Sequence, residues 1–142
     1  MKRLAVAVLS IALLGGAAAQ SFADVAADRE ALMKEIGRTM KSLSEIAKGA
    51  TPFDAATVKA GGETISANLT KFGTLFDAGT EGASKQARPE IWSDRAGFDA
   101  AREEAIKAAT ALAAADEAGL KAALGAMGGT CKTCHQKYRL AD

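Results

Sequence analysis

From residue 24 onward, apolar side chains recur three, four or seven residues apart, and almost nowhere in strict alternation. That period suits a helix with one buried face and does not suit a half-buried strand. Val25, Leu32, Ile36, Met40, Leu43 and Ala47 make a first stripe. Asp24 offers a cap before it, Gly49 stops it, and Pro52 confirms the stop. A second stretch opens near Asp54 and carries Val58, Ile65, Leu69, Phe72 and Phe76. Its Gly61-Gly62 pair is consistent with either close packing or a kink. After a polar loop at 77–90, a third helix is predicted from Pro89 to Ala115, with Trp92, Phe98, Ala105, Ile106, Ala109 and Leu112 inward. A fourth is predicted from about Asp116, placing Leu120, Leu124, Met127, Cys131, Cys134, His135 and Tyr138 on one broad face. Aromatics are only 5% of the chain and alanine is abundant, which favours helix over strand. The chain of 142 residues is therefore expected to be all-α, a single antiparallel four-helix bundle.

The first residues have a different character. Met1-Lys2-Arg3 is a short basic start, Leu4 to Leu14 is uncharged and apolar, and Ser21-Phe22-Ala23 has the small-x-small form of a cleavage site. This is the pattern of a secretory signal peptide at 1–23, with cleavage after Ala19 as the alternative and a domain at 24–142. The apolar run falls short of the roughly 20 residues a membrane span requires. Export implies a periplasmic protein with no membrane span. Removing 1–23 takes away Lys2 and Arg3 and no acidic residue, leaving 16 basic and 17 acidic side chains. A balance of −1 supplies no cationic field for nucleic acid.

The chain has two Cys and a single His, and all three fall in Cys131-Lys132-Thr133-Cys134-His135. One His rules out a site built on several. C-x-x-C-H is the attachment signature of c-type haem. On a helix the two Cys are three apart and the first Cys and the His four apart, so all three share a side. Two thioethers can then tether a porphyrin edge while the imidazole reaches the iron. A thioredoxin-like pair expects a strand-turn-helix setting, which an all-helical chain lacks. A disulfide across so short a loop gains little stability, and zinc would lack its remaining ligands. No paired carboxylates or nucleophile–base arrangement marks an enzyme.

His135 supplies one axial ligand, leaving Met, Lys, water or nothing for the sixth position. Met127 lies two turns before His135 on the same helix, so Met33 and Met40 on the first helix are the better-placed methionines. Core packing is the commoner use of such residues.

The chain resembles the class II c-type cytochromes, the cytochrome c′ family, over essentially all of 24–142. The resemblance rests on Arg29 to Lys34 (REALMK), Pro52-Phe53-Asp54, Ala87 to Asp94 (ARPEIWSD) and Cys131 to Arg139 (CKTCHQKYR). It implies a haem c attached near the C-terminus of a four-helix bundle, with Cys131 and Cys134 as thioether residues and His135 as the proximal ligand. It places Met33 over the distal face, Arg29 near the haem propionates, Trp92 near the haem pocket and Arg139 beside the proximal ligand. Glu30 is a departure, since many members have a neutral residue there. Members with an apolar, non-coordinating distal residue have five-coordinate high-spin iron that takes NO or CO, whereas low-spin relatives use a Met as ligand. The implied function is electron transfer with redox partner proteins, and the alternative is NO or CO handling at an open distal face. Many relatives form antiparallel homodimers through the first two helices. Lys132 and Lys137 offer a patch for an acidic partner, though a solvated face is the commoner role of such residues.

Overall fold

The computed structural model describes residues 21–140. Residues 1–20 of the expected leader lie outside the described residues. Five helices follow in order: α1 (Phe22–Ala47), α2 (Ala55–Gly73), α3 (Glu90–Ser93), α4 (Arg95–Ala113) and α5 (Leu120–Tyr138). Among the described residues there is no strand, only an isolated antiparallel bridge between Ala87 and Arg139. The four long helices form the expected bundle. Each packs on two others in the cyclic order α1, α2, α4, α5, with α5 returning to α1.

Several boundaries differ from the sequence expectation, each for a local reason. α1 begins at Phe22, because Ser21 rather than Asp24 is its N-cap. The Asp24 amide donates to Ser21 Oγ at 3.2 Å and the Ser21 amide donates to Asp24 Oδ2 at 3.3 Å, a reciprocal capping box. The predicted helix from Pro89 to Ala115 is two helices. Asp94 leaves helical geometry at φ −122°, ψ 53°, and its Oδ1 then accepts from the Gly97 amide at 3.2 Å to cap α4. The last helix starts at Leu120, since the Asp116 side chain closes the preceding turn by accepting from the Gly119 amide at 2.8 Å.

Gly61 and Gly62 do not interrupt α2. A Cβ at Gly62 would lie 2.5 Å from the Ala113 amide nitrogen and 2.7 Å from the Ala109 carbonyl oxygen. The glycine lets α2 and α4 approach backbone to backbone, so close packing is the answer.

The core is in two parts. One holds Ile36, Leu43, Val58, Ile65, Leu112, Leu120 and Met127, with Met33, Met40 and Cys131 against it. The other is richer in rings: Leu32, Leu75, Phe76, Ile91, Phe98 and Tyr138, with Trp92 and Cys134 against it. Phe98 is the hub of the rings, with centroids 5.1 Å from Phe76 and 5.3 Å from Tyr138. The two cysteines therefore abut different halves of the core.

Candidate functional site

A cavity of about 970 Å³ takes its walls from both halves of the core: Ile36, Leu69 and Ala105 from one, Phe76, Ile91, Phe98 and Tyr138 from the other. Such a volume is at the top of the range for small-molecule and cofactor sites. Cys131, Cys134 and His135 line it from α5, Met33, Met40 and Arg29 from α1, and Arg139 from the residue that ends α5. The loop between α2 and α3 closes another side with Ala83 to Ala87. That loop is tied to the end of α5: the Arg88 amide donates to the Tyr138 carbonyl at 3.1 Å and the Leu140 amide to the Gln86 carbonyl at 2.9 Å.

The helical spacing of the pentad puts its three reactive side chains on one wall. Both thiols are half-buried, and burial pushes each above its ordinary pKa, with the neighbouring Cys131 adding to the rise at Cys134. Burial pulls the His135 imidazole below its usual value, and the positive charge of Arg139 adds to this. The neutral imidazole, the form that binds a metal, is thereby favoured.

Arg29 is buried at 4% exposure. Its Nε and Nη2 donate to the Leu75 carbonyl at 3.2 and 2.7 Å, and Nη2 also donates to Thr80 Oγ1 at 2.9 Å. The guanidinium lies over the Phe76 ring, 3.9 Å from its centroid. Its Nη1 is buried with no hydrogen-bond partner. Trp92 stands behind this arrangement rather than in the cavity wall. Its ring is 5.7 Å from that of Phe76 and 5.6 Å from the Arg29 guanidinium carbon, and its Nε1 donates to the Asp77 carbonyl at 3.3 Å.

These residues fit the haem that the pentad implies. The thiols and imidazole share one cavity wall, and the Arg29 guanidinium, a cation suited to a carboxylate, belongs to the lining of the same cavity. Arg102 of α4 also lines the cavity and has a buried nitrogen without a hydrogen-bond partner. Sequence inspection missed it, although an arginine four residues after Phe98 and three before Ala105 stands on a core-facing stripe. Met127 is fully buried in the first core cluster and does not line the cavity.

The family model described as Cytochrome C' matches residues 24–139. Cytochrome c-556 of Agrobacterium tumefaciens (strain B2A) is 44% identical over 118 residues, covering 79% of this chain and 93% of that protein. Cytochrome c' of Rhodopseudomonas palustris is 35% identical over 142 residues, covering 98% and 97%. Among solved structures, the nitric oxide complex of a mutant cytochrome c prime from Alcaligenes xylosoxidans superposes with a TM-score of 0.74 at 34% identity, covering 83% of this chain and 95% of that one. Sequence, fold and the position of the pentad at the end of the bundle agree: the chain belongs to the cytochrome c′ family, whose members bind one covalent haem c.

Proposed function

We propose that this protein is a periplasmic electron carrier rather than an enzyme, with one haem c held by Cys131 and Cys134, His135 as proximal ligand and Met33 as sixth ligand. The position of Met33 carries this reading, because it lines the same cavity as His135 from a different helix. When bound, haem supplies a one-electron iron couple. The chain does the rest. Burial favours the neutral imidazole of His135, Arg29 adds a guanidinium to the cavity lining, and Phe72, Phe76 and Phe98 give one side of the cavity an apolar wall. Met ligation and an apolar surround both raise a haem potential. Redox partner proteins are the partners this function requires. The ferric absorption spectrum tests the ligand. We expect a low-spin spectrum with a Met–iron charge-transfer band at its red end, lost in Met33→Leu. A high-spin spectrum indifferent to that substitution would remove Met33 as a ligand.

The second reading is a five-coordinate protein that binds NO or CO. Two observations favour it: the solved nitric oxide complex of a relative, and open space at Gly37, where a Cβ would meet nothing within 4 Å. Gly37 lines the cavity one turn after Met33 and brings no side chain to that wall. The same spectrum, taken with and without NO, separates the two.

Export rests on the leader at 1–23; cleavage after Ala23 would remove the Ser21 cap of α1 and leave Asp24 at the new N-terminus, whereas cleavage after Ala19 would keep that cap. No helix among the described residues is long and apolar enough to cross a membrane. The homodimer through α1 and α2 rests on the family likeness. Native mass spectrometry of the exported protein reads all of this. We expect a chain starting at Asp24, one haem per chain, and twice the protomer mass. A start at Gln20 would move the cleavage to Ala19, and a protomer mass alone would exclude the dimer.

A further inference from the structure

Two arginines line the cavity, and each carries a buried nitrogen that has no hydrogen-bond partner: Nη1 of Arg29 and Nε of Arg102. Arg29 is accounted for above. Arg102 is not. Its side chain keeps only 17% exposure, and its contact with Asp99 is long, with Nη2 3.5 Å from Oδ1. The other oxygen of Asp99 is taken by Arg95 Nε at 2.8 Å. Asp99 Oδ1 is itself buried without a hydrogen-bond partner, so the pair is desolvated and imperfectly matched on both sides, which is costly unless a further polar group completes it.

The chain makes room for this group. Gly73 ends α2, and a Cβ there would lie 2.5 Å from Arg102 Nε and 2.8 Å from Cζ. The Gly73 carbonyl is already bonded by Arg95 Nη2 at 3.1 Å, and the Leu75 carbonyl, two residues on, is bonded by Arg29. Arg29 from α1 and Arg102 from α4 thus stand at the same end of α2, against the same cavity. A haem bears two carboxylates on neighbouring pyrroles. Two cavity-lining guanidinium groups match that pair in number and charge.

We propose that Arg102, admitted by the missing side chain of Gly73, is a second haem-carboxylate-binding residue that holds one propionate while Arg29 holds the other. This rests on covalent haem occupying the cavity. A cation beside a propionate stabilises the less positively charged, reduced state of the iron, so Arg102 also sets the reduction potential.

The test uses haem-loaded wild type, Arg102→Gln, Arg102→Lys and Gly73→Ala, each followed by spectroelectrochemical titration and by resonance Raman in the propionate-bending region. We expect Arg102→Gln to favour the oxidised form by about threefold to tenfold at fixed poise, tenfold being about 59 mV for one electron, and to shift the propionate mode. Arg102→Lys keeps the charge and is expected to recover most of the potential. Gly73→Ala, by displacing the guanidinium, is expected to move the potential the same way as Arg102→Gln. A haem-loaded Arg102→Gln protein with unmoved potential and propionate mode would overturn the assignment and leave Arg102 as packing between α2 and α4. Should that variant not accumulate with haem, an unmoved propionate mode in both Arg102→Lys and Gly73→Ala would overturn it equally. Wild-type protein without covalent haem is a different failure, that of the occupied cavity itself.

Discussion

At the scale of single residues, Asp94 joins parts of the chain that no local pattern connects. Its Oδ2 accepts from Lys137 Nζ at 2.6 Å and from the Tyr138 hydroxyl at 3.0 Å, while Oδ1 caps α4. Tyr138 is buried and lines the cavity, so one carboxylate fixes the end of the helix that carries His135. The hydrogen bond from Lys137, then that from Tyr138, holds the Asp94 pKa below the ordinary carboxylate value. With the folded pKa below the unfolded one, this contribution is present above the unfolded value of about 4 and is lost as pH falls through the folded pKa. Asp94→Asn is therefore expected to melt below wild type at neutral pH, with the two Tm values converging as pH falls below the ordinary carboxylate range. A gap that persists unchanged in acid would show that charge is not what Asp94 contributes. Among site residues, the pentad was legible because all its information lies in five consecutive positions. The role of Arg102 was not, because it depends on a glycine at the end of another helix.

At the scale of elements, caps and glycines explain where the helices run. Asp54, near which the second stripe was expected to open, caps α2 by accepting from the Thr57 amide at 2.8 Å. Asp94 was harder to see, because the apolar stripe continues on both sides of it and a period does not report one residue that leaves helical geometry. The Gly61-Gly62 pair was ambiguous for a related reason. A glycine in a helix looks the same in sequence whether it bends the helix or admits a neighbour. Two substitutions separate these roles. Gly62→Ala drives a methyl into the backbone of α4 and is expected to destabilise by about 1–3 kcal/mol, despite the gain in helix propensity. Gly125→Ala in α5 meets nothing within 4 Å and is expected to stabilise by about 0.5–1 kcal/mol. Denaturant titration of the haem-loaded proteins checks both, and a stabilised Gly62→Ala protein would contradict the close contact of α2 with α4.

At the scale of the whole molecule, the divided core ties stability to the cofactor. Apolar side chains from both halves line the cavity, so the haem carries packing that neither half supplies for the other. The double variant Cys131→Ser with Cys134→Ser is expected to lose covalent haem, read as an absent haem stain. It is also expected to lose stability on the order of several kcal/mol, from apolar surface left facing water, and Tm on the order of 10 °C or more. Unchanged staining would defeat the attachment, and unchanged Tm would show that the two halves hold together unaided. The sequence by itself determined the helical character, the bundle and the contiguous C-x-x-C-H pentad on which the proposed haem attachment rests, because propensity, period and contiguous spacing are local properties. Only the tertiary structure decided that α2 and α4 touch at Gly62, that the core divides around a cavity, and that Arg29 and Arg102 reach the same end of α2. A period states which face of a helix is buried. What that face is buried against depends on side-chain volumes and loop paths contributed by residues far apart in the chain.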